Sequence, residues 1–91
     1  MLELITVYNM QEEFYLSKIL INPSQISVVR DYHEYNNLLR EGKMNLDFDP
    51  NVRFSEVVMN GNAAYQTYVV VGSAMQINEK LNKNKIQLLR D

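Results

Sequence analysis

Apolar and β-branched residues alternate with polar ones over most of the chain before residue 72. The segments with this pattern are 2–8, 13–21, 25–32, 52–59 and 62–71. A two-residue period is typical of a strand with one buried face, whereas the spacing after residue 73 has the period of a helix. The pattern therefore predicts an α+β fold, with a small antiparallel five-stranded sheet or partly open barrel and a C-terminal helix.

Turn signals separate the predicted strands. Asn60-Gly61 stands between two β-rich segments, and Asn-Gly favours a type I′ hairpin because both central residues need a positive φ angle. Residues 9–12 are expected to form an earlier turn, between the first two strands. Asn22-Pro23-Ser24 interrupts the chain before the third strand, since proline lacks a backbone N–H.

The predicted C-terminal helix begins with a capping box, in which Ser73 is the N-cap and Gln76 reaches back to it. Apolar residues recur at helical spacing and form the expected buried stripe; they are Ala74, Ile77, Leu81 and Leu88. The expected outward residues are charged; they are Glu79, Lys80, Lys83 and Lys85.

Residues 33–51 fit no strand and are interpreted as one long insertion in a single domain of residues 1–91. Residues 35–41 have the pattern of two helical turns, with Gly42 at the position of a left-handed C-cap. Residues 45–51 are acidic and rich in turn formers. Because loops of this length are usually functional or mobile, the insertion is the predicted partner-binding surface. The predicted contact residues are Tyr32, Tyr35, Leu38, Leu39, Asp47, Phe48 and Asp49.

The arrangement resembles the FlbD family of short flagellar-operon proteins. The shared positions are scattered over most of the chain: Phe14-Tyr15-Leu16, Asn22-Pro23 with Ile26, the Asn60-Gly61 hairpin, and Ser73 leading into Ile77 and Leu81. Asn-Pro follows the Leu-containing strand after a longer gap than in the family, and the insertion has no counterpart there. The resemblance implies a small β module, and it carries over no catalytic residue.

Composition narrows the possible functions. The 91 residues are enough for one core, and the chain has no cysteine, which excludes disulfides and thiolate metal sites. The formal charge of −2 lacks the basic excess on which duplex binding usually depends. A leaning toward Asn, Tyr, Ile and Lys indicates an AT-rich genome, such as that of a phage or mobile element. Neither a secretory leader nor a long apolar span is seen, so the expected location is the cytoplasm.

Catalytic and metal-binding patterns are incomplete. His33 is the only histidine, so a zinc site or a Ser-His-acid triad would have to depend on it alone. Asp47, Asp49 and Asn51 alternate like calcium ligands, but the sixth and twelfth positions of such a loop are Val52 and Val58 rather than Gly and Glu. The sequence therefore predicts no enzyme, no metal and no cofactor.

The six tyrosines concentrate in and beside the predicted strands, where they can belong either to the core or to a binding face. Residues 64–71 contain no charge, so they would attract another chain if they lay at a sheet edge. The leading prediction is a non-catalytic module that binds a protein partner, such as a phage accessory protein acting on a host or assembly component. The alternatives are a small-barrel protein for single-stranded nucleic acid, and a homo-oligomeric structural component.

Overall fold

The computed structural model describes residues 1–61 and 65–90, and for residue 65 and residues 84–90 it describes the backbone alone. The elements follow one another as β1 (Leu2–Met10), β2 (Glu13–Ile21), a 3₁₀ turn (Pro23–Gln25), β3 (Ile26–Asp31), α1 (Glu34–Arg40), β4 (Phe54–Asn60), β5 (Tyr65–Val71) and α2 (Ala74–Arg90). The five strands form one antiparallel sheet in the order β2-β1-β5-β4-β3, which is not closed into a barrel. The predicted α+β class is thereby confirmed.

The strand order places β5 in the centre of the sheet, between β1 and β4. The charge-free segment Val69–Val71 therefore has a strand on each side, and the expectation that it could form a free edge is wrong. The two edges are β2 and β3. The connection from β3 to β4 is longer than predicted, so the insertion spans residues 32–53.

The β1–β2 hairpin has the tightest turn of the sheet. Met10 pairs with Glu13, so Gln11 and Glu12 alone form the loop. Their φ angles are 54° and 68°, the geometry of a type I′ turn built from two residues other than glycine. The predicted turn at 9–12 is therefore two residues shorter in the structure, because both strands continue to the loop.

The β4–β5 hairpin is confirmed, but its predicted two-residue turn is wrong. Asn60 is the last residue of β4 and pairs with Tyr65, so four residues, 61–64, connect the strands. This register aligns Val57 with Tyr68 and Ser55 with Val70, which gives the strands a common buried face. Residues 62–64, where the predicted returning strand began, lie outside the described residues.

Helix α2 is anchored at its N-terminus as predicted. The Gln76 backbone N donates to the Ser73 hydroxyl at 3.1 Å, and the Ser73 backbone N donates to the Gln76 side chain at 2.8 Å. The Ala74 backbone N donates to Asp31 Oδ1 at 2.9 Å, which ties the helix to the end of β3. Within the described ranges neither helix is long and apolar enough to cross a membrane.

The sheet buries side chains on both faces. On the helix face, Ile77 and Leu81 of α2 pack over a buried cluster that includes Leu4, Val57 and Val70. Ile77 is fully buried, as its place in the predicted stripe requires, whereas the side chains of Lys85 and Leu88 lie outside the described residues. On the opposite face, which we name the insertion face, residues of the insertion pack over Val7, Phe14 and Phe54.

Candidate interaction surfaces

Helix α1 ends in a Schellman motif that turns the chain back over the sheet. The Gly42 N donates to Leu39 O at 3.2 Å, and the Lys43 N donates to Leu38 O at 2.9 Å. Gly42 has a φ of +69°, which confirms the predicted left-handed cap. The motif reverses the chain direction and brings residues 44–48 against the same core as the helix.

Aromatic rings fix the insertion to the sheet. The Tyr35 ring makes edge-to-face contacts with Phe14, Tyr32 and Phe54, at centroid distances of 5.2, 5.0 and 5.6 Å. Phe48 packs on Phe54 in the same way, at 5.4 Å. These separations are typical of stabilising aromatic pairs. The rings on this side of the sheet therefore form one connected aromatic cluster.

The seven predicted contact residues divide into two groups. Five of them are partly buried and pack against the core below the insertion; they are Tyr32, Tyr35, Leu38, Leu39 and Phe48. Asp47 and Asp49 are exposed. The apolar side chains that suggested a partner surface thus also serve to cover the sheet, because α1 has one apolar side that faces Phe14 and Phe54.

Two tyrosines of the aromatic cluster have raised pKa values. Burial raises the pKa of Tyr32 to about 12, and its hydrogen bond to Glu34 Oε2, 3.0 Å long, acts in the same direction. Burial also raises the pKa of Tyr35, and the nearby charge of Glu34 adds to the effect. Both phenols therefore keep their protons at ordinary pH.

A cleft of about 790 Å³ opens on the solvent side of the insertion. Its walls carry charges of both signs, from Arg40, Arg53, Asp47 and Asp49, beside His33, Asn36 and an apolar floor. Several of these groups already have partners within the loop. The Asp49 carboxylate accepts from Asn51 N at 2.8 Å, Arg53 donates to Val52 O at 3.1 Å, and Arg40 donates to Asn37 Oδ1.

The two carboxylates that flank His33 in the sequence have other partners in the structure. The neighbouring Asp31 carboxylate accepts from the Ala74 backbone N, and that of Glu34 accepts from the Tyr32 hydroxyl. Among the described side chains, no three histidine or carboxylate groups lie close enough together to hold a metal ion. Asn36 donates to Val52 O at 2.9 Å, while its buried Oδ1 has no partner. The roles of Asn36, Arg40 and Arg53 were not predicted, because they depend on how the loop folds back.

The outer edge of β2 is a second candidate surface. The side chain of Asn45 accepts a hydrogen bond from the Phe14 N–H and donates one to the Phe14 C=O, so both backbone groups of Phe14 point away from β1. Backbone groups in antiparallel strands alternate in direction, so those of Leu16, Lys18 and Leu20 point outward as well. Leu16 and Leu20 have 46% and 64% of their surface exposed, and Ile5 beside them on β1 has 41%.

Two tyrosines form a third exposed feature, on the helix face. Tyr8 and Tyr15 are cross-strand partners whose rings stack at 5.6 Å, and each is about two-fifths exposed, at 40% and 39%. The Tyr15 hydroxyl donates to Glu13 Oε2 at 3.0 Å, and this carboxylate raises the pKa of Tyr15. The stacked pair is therefore in contact with a negative charge.

Comparisons with known proteins identify no relative of this chain. No family model, no curated protein and no solved structure matches the chain. The resemblance to the FlbD family consequently stays a prediction from the residues quoted above.

Proposed function

We propose that this protein is a non-catalytic interaction module that binds an extended segment of a protein partner along the outer edge of β2. The observation that carries the proposal is the nine-residue edge strand with exposed leucines at positions 16 and 20. Addition of a strand would pair the outward backbone groups of β2 and cover its exposed apolar side chains. Both consequences favour binding.

The backbone geometry of β2 suits strand addition. All nine residues pair with β1 in one unbroken register. A straight ladder of this kind presents its outward N–H and C=O groups at a regular spacing, which a second strand can match. Leu16, Lys18 and Leu20 supply three donors and three acceptors beyond the position that Asn45 occupies.

The opposite edge of the sheet is less suited to the same role. Strand β3 has six residues, and its register with β4 shifts between Ile26 and Val28. A bulge bends an edge strand and interrupts its outward backbone groups, which is a common protection against pairing. Strand β2 is protected only by Asn45 at one end and by the Lys18 charge near its middle, and its register with β1 is unbroken. The difference between the edges therefore favours β2.

Single-stranded nucleic acid is the less favoured ligand. Bases stack on exposed aromatic rings, and Tyr8 with Tyr15 offers such a surface, but phosphate binding needs adjacent cations. The contact of Tyr15 with Glu13 places a carboxylate there instead. Action as a phage accessory protein on a host component stays a prediction that depends on composition alone.

The proposal can be tested with proline at position 18, since proline removes the outward N–H and leaves the pairing with β1 intact. A library of random seven-residue peptides would be selected on the immobilised protein. We expect enrichment of β-branched peptides that bind the parent and the matched control Lys18→Ala, but not Lys18→Pro. Far-ultraviolet circular dichroism would show that both variants keep their secondary structure.

Amide hydrogen exchange locates the binding directly. On addition of a selected peptide, the amides of Leu16, Lys18 and Leu20 should gain protection, because each acquires an acceptor. A library that yields no binder would contradict the proposal. So would peptides that bind Lys18→Pro as well as the parent, or that protect the cleft around Asn36 instead.

A further inference from the structure

We infer that the partner strand carries an acidic residue opposite Lys18, with apolar residues two positions before and two positions after it. The inference depends on the proposed function and specifies the chemistry of the bound segment. It is drawn from the row of side chains that β2 presents on the insertion face at its outer edge.

This row consists of Leu16, Lys18 and Leu20, which point to the same side because side chains alternate along a strand. Their partners on β1 are Val7, Ile5 and Glu3, respectively. The row thus reads apolar, positive, apolar. A strand added beside β2 places its own alternate residues directly opposite these three, close enough for side chains to interact.

The two leucines select apolar partners. Leu20 is 64% exposed and Leu16 is 46% exposed, and Ile5 between them on the neighbouring strand is 41% exposed. Apolar side chains two residues to either side of the centre of the bound segment would remove this surface from water. Removal of apolar surface from water favours association, so apolar side chains are preferred at these two positions.

Lys18 favours an acidic partner. Its cross-strand neighbour is Ile5, its neighbours along β2 are the two leucines, and Glu3 lies diagonally from it on β1. The ion pairs of the described residues are Arg30 with Glu56 and Lys43 with Glu41, and neither involves Lys18. An incoming strand reduces the exposure of the ammonium group to water, which makes an opposite charge on that strand favourable and a like charge unfavourable.

A second copy of this chain fits the edge poorly. Asn45 holds the backbone of Phe14, so the free edge spans residues 15–21 and its centre is Lys18. Antiparallel pairing of this segment with itself would put Lys18 opposite Lys18 of the other copy, and like charges directly opposite destabilise a strand pair. Shifted registers either leave part of the edge unpaired or compete with Asn45. The charge pattern therefore favours a different chain.

The test uses three synthetic peptides that differ only at their centre: Thr-Val-Thr-Glu-Thr-Val-Thr and its Gln and Lys counterparts. The pattern is symmetric, so it matches the edge in either strand direction. We expect the parent to bind the Glu peptide about fivefold more tightly than the Lys peptide, because an opposite charge directly across from Lys18 stabilises the strand pair and a like charge destabilises it. Lys18→Glu should reverse the order, and Lys18→Gln should abolish it.

The outcomes separate this inference from the proposed function. If all three peptides bind equally and all protect the amides of Leu16 and Leu20, strand addition stands and the charge rule is wrong. If no peptide binds, both fail. If light scattering shows that the parent forms a dimer that Lys18→Pro abolishes, the occupant is a second copy, and the inference is overturned. A preference for Glu that weakens as salt is added supports it.

Discussion

The side-chain amide of Asn45 makes both hydrogen bonds that a neighbouring strand would make with Phe14. Its Oδ1 accepts from the Phe14 N at 2.7 Å, and its Nδ2 donates to the Phe14 O at 3.1 Å. One residue of the insertion thereby occupies the first position of the β2 edge. The contact fastens the loop over the aromatic cluster and also sets where the free edge begins.

Replacement of Asn45 by alanine should lower the free energy of unfolding by about 2 kcal/mol, since each partly buried hydrogen bond contributes about 1 kcal/mol. Urea denaturation would measure the loss. The Phe14 amide should also exchange with solvent faster, because it loses its acceptor. Asn78→Ala on the exposed side of α2 is the matched control, for which a change within about 0.5 kcal/mol is expected. Equal stability of the two variants would show that Asn45 does not hold the loop.

The β1–β2 turn contains two residues in a left-handed conformation, which glycine adopts freely and which most L-amino acids other than Asn and Asp disfavour. Gln11 and Glu12 have φ angles of 54° and 68°. A left-handed residue with a Cβ costs about 1–2 kcal/mol. We expect Gln11→Asn combined with Glu12→Gly to raise the free energy of unfolding by about 1 kcal/mol, after allowance for the greater freedom of glycine in the unfolded chain.

The control for this turn is the same Glu-to-Gly change at a position with ordinary backbone geometry. Glu41 has a φ of −84°, so Glu41→Gly should destabilise by about 0.5–1 kcal/mol. Thermal unfolding of both variants gives the comparison. A loss of stability in the turn variant would mean that contacts of Gln11 or Glu12 outweigh their backbone strain.

Local signals in the sequence predicted the local structure well. The capping box at Ser73 and the left-handed cap at Gly42 each depend on residues within a few positions, and both are found in the structure. The strand order could not be predicted in the same way. The pairing of Thr6 with Val70 joins distant parts of the chain, and no short-range pattern specifies it.

The candidate surface was harder to predict for the same reason. Tyr35 and Phe48 lie in a long polar loop, which suggests exposure, but their rings face Phe14 and Phe54 once the loop folds back. Leu16 and Leu20 follow a normal strand pattern and give no sign of exposure in the sequence. Their accessibility follows from the position of β2 at the sheet edge, which depends on the whole topology.

Ser55 buries a hydroxyl group beneath α2 without a hydrogen-bond partner. A buried polar group of this kind costs about 1–3 kcal/mol, so Ser55→Ala should leave stability unchanged or raise it by about 1 kcal/mol. Thr6→Val is the comparison, because the similarly buried Thr6 hydroxyl donates to Val69 O at 2.9 Å. Its loss should cost about 1 kcal/mol. Urea denaturation that showed a larger loss for Ser55→Ala would reveal a partner for its hydroxyl.

The raised pKa of Tyr32 makes the fold sensitive to alkali. This phenol titrates at about 12 in the folded protein, against 10.0 for an ordinary tyrosine. Because the folded state holds the proton more tightly, the stabilisation is complete below pH 10 and is lost as the pH rises from about 10 toward 12. The free energy of unfolding of the parent should therefore fall over this range, and that of Tyr32→Phe should fall less steeply.

The Glu34→Gln variant tests what raises the pKa of Tyr32. Removal of the carboxylate that accepts from the Tyr32 hydroxyl should lower the pKa of Tyr32, while burial keeps it above the ordinary value. Tyrosinate absorbance would follow the titration, and identical alkaline profiles for the parent and Tyr32→Phe would contradict the partial burial of this ring against the sheet.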